Sequence, residues 1–246
     1  MSTIYVLIHT IEDSQAFWEE AGFDTWLSPR EKERLTALRF QKRRNEWLHG
    51  RWVAKQLLKR VCPSFQALPL SDMVIDNLLD GSPIFMTQDQ EVSGDLSISH
   101  REGWACVAFS SSGNFHIGID VEKVEKRELA FYTDYFSDRE IEGERLFPLS
   151  REAYFTLLWS AKESVVKALK TGLRIDVQKI EVFPQKFERE TVPSPPPYGW
   201  LAFSCQVSGM DGNWVGFWQK REEFIITLAC RCVNQKEPVS LQEIRL

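Results

Sequence analysis

The segment Phe115–Glu122 constrains the fold of this chain most strongly, because it alternates strictly between apolar residues and other residues. The apolar positions are Phe115, Ile117, Ile119 and Val121, and the positions between them are His116, Gly118, Asp120 and Glu122. A period of two is typical of a strand that is buried on one side. Asp120 and Glu122 then share one face, roughly 6.5–7 Å apart along the strand. Gly118 lies on that same face and leaves room for a bulky group to approach.

A second segment, around Trp159–Lys167, is predicted to form a helix. Its apolar residues recur at intervals of three, four and seven, at Leu158, Ala161, Val165, Ala168 and Leu169. Glu163 and Lys167 fall on the opposite side, one turn apart, so their head groups converge. An ordinary ion pair on a helix surface explains these two residues equally well. Asp120 and Glu122 of the strand are likewise consistent with ordinary polar positions that face the solvent.

Both segments place charged residues within sequence that is otherwise typical of buried structure. The carboxylates are Asp120, Glu122 and Glu163, and the lysines are Lys162 and Lys167. Charged side chains are rarely buried unless they are paired or bind a metal ion. The two segments together therefore predict a site for magnesium and phosphate.

The two segments, in this order and at this spacing, resemble the signature of the 4′-phosphopantetheinyl transferase superfamily. The signature is a Gly-Ile/Val-Asp-x-Glu strand followed by Trp-Ser/Thr-x-Lys-Glu-Ser/Ala-x-x-Lys on a helix, and the chain matches nearly every position. A weaker motif, Leu96–His100 followed by Gly103–Ala108, is similar to the family's Asn-x-Ser-His stretch. This motif and the length of 246 residues indicate the larger, pseudodimeric (surfactin-synthetase-activating) branch, not the small homotrimeric holo-acyl-carrier synthases.

The resemblance implies both a fold and a reaction. The fold is α+β, with two similar α/β lobes related by a pseudo-twofold axis, each with helices packed on a mainly antiparallel sheet. Coenzyme A would bind between the lobes and give its 4′-phosphopantetheine to a serine of an apo acyl or peptidyl carrier protein, leaving adenosine 3′,5′-bisphosphate. Asp120, Glu122 and Glu163 would bind a magnesium ion, which prefers oxygen ligands. Glu163 would also be the general base toward the carrier serine, and Lys167 would contact a phosphate.

The resemblance also implies a set of residues that bind coenzyme A: Arg43, Arg44, Arg51, Ser99, His100, Lys162 and Lys167. One arginine of the segment 43–51 would contact the 3′-phosphate, and a solvated amphipathic helix is the alternative for this basic run. Ser99 and His100 would reach the coenzyme phosphates, and a water-exposed turn is the alternative for His100. Lys162 is the hardest to place, because it is adjacent to Glu163 in the sequence.

The chain departs from the family at one position. Many members carry Gly-Lys-Pro before the Ser-His strand, with the lysine near the coenzyme, whereas this chain has Gly81, Ser82 and Pro83. The proline turn is kept and Ser82 replaces the lysine. One phosphate or nucleotide contact is therefore missing, or it comes from elsewhere in the chain.

Strand and helix patterns divide the chain into an N-terminal lobe, residues 1–112, and a C-terminal lobe, residues 113–246, which carries the metal and catalytic residues. Strands are predicted at 3–9, 73–76, 83–87, 95–99, 104–110, 115–122, 180–183, 200–208, 214–219 and 224–233. Helical sequence is predicted from Pro29 to Val61 and from Arg127 to Lys170, with a capping box at Ser137 and Glu140 and a cap at Ser150. The sequence of the tail, residues 234–246, does not indicate a role for it. Two lobes in one chain favour a monomer.

Composition limits the class of protein. Hydrophobic residues make up 43% and charged residues 26%, which is usual for a globular protein. The net charge of −5 argues against general nucleic-acid binding. The chain has no apolar run that could span a membrane, no basic leader, and five cysteines without metal-ligand spacing. We therefore expect a cytoplasmic protein with reduced thiols. A non-catalytic coenzyme A-binding protein and a metal-dependent hydrolase of nucleotide pyrophosphates are the alternative functions.

Overall fold

Antiparallel strands with helices packed on them form the part of the chain that the computed structural model describes, residues 2–11, 22–87, 90–170, 175–185, 199–210, 212–233 and 239–246. The strands are β1 (Ser2–Thr10), β2 (Met73–Asn77), β3 (Pro83–Thr87), β4 (Gln90–Glu91), β5 (Asp95–Arg101), β6 (Trp104–Ser110), β7 (Phe115–Lys123), β8 (Ile180–Pro184), β9 (Leu201–Val207), β10 (Asn213–Arg221), β11 (Phe224–Cys232) and β12 (Val239–Ile244). The α-helices are α1 (Pro29–Thr36), α2 (Gln41–Val61), α3 (Pro63–Gln66), α4 (Leu129–Tyr135), α5 (Asp138–Gly143) and α6 (Arg151–Leu169). The predicted strands are confirmed to within two residues at each end.

The strands of the described ranges pair into three sheets. Their orders are β12-β1-β6-β5, β7-β11-β10-β9-β8 and β2-β3-β4. Helix α2 packs on the first sheet, and α6 packs on the second. A further apolar cluster, which includes Ile4 and Cys106 from the first sheet and Ile119 and Leu228 from the second, lies between these two sheets. Helices on mainly antiparallel sheets confirm the predicted α+β class.

The first and second sheets meet where β5 lies beside β7. Side chains of β5 accept hydrogen bonds from backbone N–H groups of β7: Asp95 Oδ2 from Ile117 at 2.8 Å, Ser97 Oγ from Ile119 at 3.0 Å and Ser99 Oγ from Val121 at 3.3 Å. Every second residue of each strand takes part, as expected where one face of each strand is turned toward the other. This seam replaces a backbone ladder and sets the position of β7 relative to β5.

The tail supplies a strand that its sequence did not predict. Strand β12 pairs in parallel with β1, from Val239 beside Ser2 to Ile244 beside Leu7. Residues from the C-terminal part of the chain therefore extend the sheet that contains β1. The boundary of the two predicted lobes at residues 112 and 113 stays a prediction, and β12 lies across it.

The helical prediction for 29–61 is wrong in its continuity, because residues 37–40 separate α1 from α2. The range 127–170 holds three separate α-helices, and the predicted caps at Ser137 and Ser150 are confirmed as the starts of α5 and α6. Ser28 caps α1. Helical periodicity misses the break at 37–40 because it is averaged over several turns, whereas a cap acts on single N–H groups.

Two of the caps are also parts of buried ion pairs. Glu31, in the capping box of Ser28, accepts a hydrogen bond from Lys55 Nζ at 2.6 Å. Glu140, in the predicted capping box of Ser137, accepts one from Lys162 Nζ at 2.9 Å. Each lysine also donates to two backbone carbonyls, and each glutamate accepts one backbone N–H from a strand. The repetition of this arrangement supports the predicted pseudo-twofold relation of the lobes.

The prediction that Lys162 binds coenzyme A is wrong in this structure. The side chain of Lys162 is 0% exposed. Burial lowers its pKa, and the charge of Glu140 opposes that effect. Neighbouring residues on an α-helix point about 100° apart. Lys162 therefore points into the interior of the protein while Glu163 points to a groove.

Replacing Lys162 by methionine should lower the free energy of unfolding by about 3 kcal/mol, because Glu140 would remain buried without its partner. Urea denaturation monitored by circular dichroism measures this change. Lys179 is exposed, so Lys179→Met is the matched control and should stay within about 0.5 kcal/mol of wild type. Equal stability of the two variants would contradict a structural role for Lys162.

Candidate active site

Asp120, on β7, connects the three sequence motifs. Its side chain is buried, and its carboxylate accepts three hydrogen bonds from side chains. Ser99 Oγ at 3.0 Å and Lys167 Nζ at 2.8 Å donate to Oδ1, and Ser160 Oγ at 2.8 Å donates to Oδ2. Lys167 Nζ also donates to the carbonyl oxygen of Ile119 at 3.0 Å. A buried carboxylate requires such partners, and together they hold Asp120 in one orientation.

Ser160 and Thr227 extend this network into the second sheet. Their hydroxyl oxygens lie 2.9 Å apart, and both residues are fully buried. Because Ser160 donates its proton to Asp120, Thr227 donates to Ser160. The sequence analysis did not identify either residue as part of the site. Ser160 belongs to the helical motif and could have been found there, whereas Thr227 is the β11 partner of Asp120 and has no sequence signal of its own.

Gly118 lets helix α6 lie directly against β7. A Cβ atom at this position would overlap the carbonyl oxygen of Ser164 and would come within 2.7 Å of the backbone nitrogen of Ala168. The bulky group that approaches the glycine is therefore helix α6. This close approach brings Lys167 within hydrogen-bonding distance of Asp120.

Glu122 has a buried oxygen, Oε2, for which the described residues provide no hydrogen-bond partner. Arg101 Nε lies 3.9 Å and Arg127 Nη2 lies 4.0 Å from this oxygen. Burial and the charge of Asp120 raise the pKa of Glu122 to about 7, and the two arginines oppose the rise. An unpartnered buried carboxylate oxygen beside another carboxylate is a place where a bound cation would be stabilised.

Glu163 is subject to the same effects as Glu122. Burial raises its pKa, the charge of Asp120 raises it further, and Lys167 opposes the rise. Lys167 makes its ion pair with Asp120 at 2.8 Å. Among the described residues, no ion pair joins it to Glu163, so the alternative of a simple surface pair on the helix is wrong.

The acidic residues do not form a closed metal cage. Within the ranges given above, no group of three or more His, Cys, Asp and Glu side chains is arranged to hold a metal ion. Magnesium often uses only one or two carboxylates, with waters and substrate phosphates as its other ligands. The unpartnered oxygen of Glu122, beside Asp120, therefore fits magnesium. The charge of Asp120 also raises the pKa of Glu163.

Two adjoining cavities open beside these residues. The first, of about 220 Å³, is lined by residues that include Ser82, Ile98, Glu163, Lys167 and Lys170. The second, of about 460 Å³, is lined by residues that include Arg34, Arg43, Trp47, Arg51, Asn77 and His100. Gly81, Pro83 and Ile98 line both. We name them the first and the second cavity, and together they form one groove.

Three of the predicted coenzyme-binding residues, Arg43, Arg51 and His100, line the second cavity. Arg51 is buried, which lowers its pKa to about 10, and its Nε has no hydrogen-bond partner in the described structure. Burial also lowers the pKa of His100. Three cationic or donor side chains around one space favour an anionic ligand.

Two other predicted coenzyme-binding residues line neither cavity. Arg44 donates to the carbonyl oxygen of Leu35 at 3.1 Å. Ser99 is buried in the seam, where it bonds Asp120 and Val121. Ser99 thus positions Asp120 in this structure, and the expectation that it reaches the phosphates does not hold here.

The site contains cations that the sequence analysis did not single out. Arg34 lines the second cavity, and Lys170 lines the first. Arg101 and Arg127 lie beside Glu122. Lys170 follows Lys167 by three residues and could have been found from helix spacing. The arginines are brought to the site only by tertiary folding.

The raised pKa of Glu122 predicts a pH-dependent stability. Between about pH 4.5 and 7, Glu122 binds a proton in the folded protein but not in the unfolded chain, so its contribution to stability falls as pH rises. Glu122→Gln removes this dependence. In EDTA, the variant should gain about 2 kcal/mol relative to wild type between pH 4.5 and 7.5.

Denaturant titrations of both proteins across this pH range measure the difference, and added magnesium should reduce it at pH 7.5. The exposed Glu128 provides the control Glu128→Gln, which should follow the wild-type curve. Parallel curves for wild type and Glu122→Gln would contradict the raised pKa.

Residues 116–226 match the family profile described as the 4′-phosphopantetheinyl transferase superfamily. This range contains Asp120, Glu122, Glu163 and Lys167. The matched range begins within β7 and ends within β11. It therefore includes helix α6 and stops one residue before Thr227.

Curated proteins of known activity are similar to parts of the chain. The 4′-phosphopantetheinyl transferase psf-1 of Bacillus pumilus is 29% identical over 122 residues, which are 49% of this chain and 50% of the relative. The 4′-phosphopantetheinyl transferase Sfp of Bacillus subtilis is 26% identical over 165 residues, which are 67% of this chain and 69% of the relative. The 4′-phosphopantetheinyl transferase gsp of Aneurinibacillus migulanus is 29% identical over 98 residues, 39% of each protein. The chain thus spans about half or less of the length of psf-1 and gsp.

Two solved structures are similar to part of the chain. One is the holo-[acyl-carrier-protein] synthase of Helicobacter pylori in complex with coenzyme A, with 18% identity and a TM-score of 0.34 over 43% of this chain and 96% of that chain. The other is the ACPS-CoA complex of Chronobacterium ammoniagenes, with 15% identity and a TM-score of 0.37 over 49% of this chain and 98% of that chain. TM-scores of this size support no conclusion about the site.

Proposed function

We propose that the protein transfers 4′-phosphopantetheine from coenzyme A to a serine of an apo acyl or peptidyl carrier protein, because residues 116–226 match the profile of the 4′-phosphopantetheinyl transferase superfamily. One observation carries the proposal. The side chain of Asp120 is bonded at once by Ser99, Ser160 and Lys167. The residues of three separated motifs therefore meet at one carboxylate beside a groove lined by cations. The activity shared by the curated relatives supports the same reaction.

In the proposed reaction, the carrier serine oxygen attacks the phosphorus of the pantetheine phosphate. A P–O bond forms, the bond from this phosphorus to the bridging oxygen of the pyrophosphate breaks, and adenosine 3′,5′-bisphosphate leaves with the electron pair. The serine proton passes to Glu163, directly or through a water. Since burial and Asp120 raise the pKa of Glu163, it is a stronger base than an ordinary carboxylate.

Lys167 stabilises the phosphate charge in this proposal. Its ammonium group has three N–H donors, of which Asp120 and the carbonyl of Ile119 accept two. One donor is left for a phosphate oxygen in the first cavity, which Lys167 lines. Its attachment to β7 fixes the ammonium before substrate binds, and phosphoryl transfer depends on such positioning.

Magnesium would be held by Asp120, Glu122 and Glu163. The ion supplies charge neutralisation for the pyrophosphate when it is bound. The unpartnered Oε2 of Glu122, and the raised pKa of Glu122 and of Glu163, to which the charge of Asp120 contributes, are the observations that favour this ligand set.

The 3′-phosphate of coenzyme A is assigned to the second cavity. Arg43, Arg51 and His100 line it, and the unpartnered Nε of Arg51 can donate to a phosphate oxygen. Because the two cavities join, a single extended ligand can place its pyrophosphate in the first and its 3′-phosphate in the second.

Location and oligomeric state remain predictions. None of the described helices has the length and apolar character needed to cross a membrane. The five cysteines form no disulfide in the described structure, as is common in reducing compartments. A cytoplasmic monomer is the state we propose.

The test is to incubate the protein with coenzyme A, magnesium and a panel of apo carrier proteins, and to measure intact carrier masses. We expect a carrier to gain the mass of one phosphopantetheine group, with adenosine 3′,5′-bisphosphate as the second product. Cleavage of coenzyme A without a carrier would indicate the hydrolase alternative. Binding of coenzyme A without any reaction would indicate the non-catalytic alternative.

A further inference from the structure

Lys170 brings a second ammonium group to the first cavity, and the reaction described above does not use it. The residue follows the last turn of α6 and has a left-handed backbone conformation, with φ of 54°. Its Nζ lies 2.8 Å from Asp95 Oδ1, and its side chain is 32% exposed. Lys167, Lys170 and Ser82 line the same cavity.

We propose that Lys170 binds a pyrophosphate oxygen of coenzyme A and so supplies the cation that is missing at Ser82. This inference rests on the proposed function. The inference rests on one observation: Ser82, which stands where many family members have a lysine, and Lys170 line the same cavity. The contact between a lysine and the pyrophosphate would thus be kept, but Lys170 would provide it in place of position 82.

The charges around the first cavity require this cation. Asp80 and Glu163 line the cavity together with Lys167 and Lys170. The charge of Lys167 is shared with Asp120 at 2.8 Å. Without Lys170, the two carboxylates would line the cavity with a single ammonium, that of Lys167, beside the proposed magnesium ion, and their charges would weaken binding of the pyrophosphate.

Ser82 cannot perform this task. Its hydroxyl donates to Asp80 Oδ1 at 2.6 Å, and its backbone N–H donates to the same oxygen at 2.9 Å. These bonds lower the pKa of Asp80, so a carboxylate charge is kept at this edge of the cavity. The hairpin that carries a lysine in other family members is therefore acidic here.

Asp95 fixes the position of Lys170. Its other oxygen, Oδ2, accepts the backbone N–H of Ile117 at 2.8 Å in the seam between β5 and β7. The carboxylate is thus held by the sheet and leaves the ammonium of Lys170 with further N–H donors for a ligand. A cation held in this way loses little entropy when it binds a phosphate.

The neighbours of Lys170 identify the pyrophosphate as its ligand. Glu163 and Lys167 line the same cavity, whereas Arg43, Arg51 and His100 line the second. A cation beside the reacting residues meets the pyrophosphate, and the 3′-phosphate lies with the arginines. Loss of Lys170 should therefore weaken coenzyme A and 3′-dephospho-coenzyme A equally.

The experiment compares Lys170→Met with wild type by calorimetric titration of both nucleotides and by steady-state transfer to an apo carrier. For a partly exposed charged contact, we expect Kd and KM for coenzyme A to rise about tenfold, with kcat within about twofold of wild type. Lys179→Met, an exposed lysine elsewhere, is the matched control and should bind as wild type does. Unchanged Kd in Lys170→Met, or a loss confined to coenzyme A with its 3′-phosphate, would overturn the inference.

A charge-swap variant separates ligand binding from a structural ion pair with Asp95. Adding Ser82→Lys to Lys170→Met should restore Kd to within about threefold of wild type, whereas Ser82→Lys alone should change Kd by less than about twofold. A structural role would not be rescued from position 82, and failure of the rescue would overturn the inference. If Lys170→Met does not fold, Lys170→Gln and the charge-retaining Lys170→Arg replace it, and equal Kd in these two would overturn the inference.

The same titrations distinguish this inference from the proposed function. Wild-type protein that neither binds coenzyme A nor modifies a carrier would refute the function itself. Wild-type protein that does both, with Lys170→Met unchanged, would refute only the role of Lys170.

Discussion

Glu163→Gln is expected to lower the rate of carrier modification by about 10²- to 10⁴-fold, the usual contribution of a general base. The glutamine keeps the shape of the side chain but cannot accept the proton of the carrier serine. The substitution also removes one anionic oxygen from the proposed magnesium ligands. Because Glu163 lines the first cavity and makes no ion pair with Lys167, the loss should appear in kcat and leave the fold intact.

Intact-mass measurement of the carrier over time, with circular dichroism melting of the enzyme, checks this result. Glu152, in the first turn of the same helix α6, provides the control Glu152→Gln, which should transfer at nearly the wild-type rate. Near-normal turnover by Glu163→Gln would contradict the assignment of Glu163 as the general base.

Asp120→Asn is expected to reduce transfer about a thousandfold or more, since it affects the metal site and Lys167 together. A neutral amide can no longer pair with Lys167 Nζ, which lies 2.8 Å from Oδ1. Its NH₂ group also replaces one of the two carboxylate oxygens that now accept hydrogen bonds from Ser99 and Ser160. The variant should therefore unfold more easily than wild type, as well as lose activity.

A second measurement tests the electrostatic part of this prediction. The charge of Asp120 contributes to the raised pKa of both Glu122 and Glu163. In Asp120→Asn, carboxylate titration followed by NMR should show both values moving toward that of an ordinary glutamate. Asp134 is exposed, and Asp134→Asn is the control that should leave transfer and both titrations unchanged. Wild-type transfer by Asp120→Asn would exclude the arrangement described for this site.

Sequence patterns predicted the strands well, because the strands either alternate in sequence, as β7 does, or form continuous apolar runs, as β6 and β11 do. The segment 115–122 became β7 with Asp120 and Glu122 at the expected positions. Helix α6 was placed by its apolar stripe, and its N-terminus by Ser150. Strand β12 was missed because a short edge strand has only one partner, β1, and its sequence carries little of the alternation that marks a buried face.

The errors came from contacts that join distant parts of the chain. Lys162 belongs to the family motif, yet it is paired with Glu140 in the interior of the protein. Arg44 was expected to be equivalent to its neighbour Arg43, yet only Arg43 lines the second cavity. A motif specifies residue types and spacing, but the direction of each side chain depends on how the helix is packed.

The sequence by itself predicted which residues carry the proposed chemistry, because an acidic strand and a Lys-Glu helix at this spacing can be recognised without coordinates. Asp120, Glu122, Glu163 and Lys167 were all named from sequence alone. Tertiary structure decided how they work together. It placed Gly118 under helix α6, which brings Lys167 to Asp120, and it brought Lys170 to the cavity where Ser82 replaces a lysine. Such contacts depend on the packing of one sheet edge against one helix, and local sequence patterns carry no information about that distance.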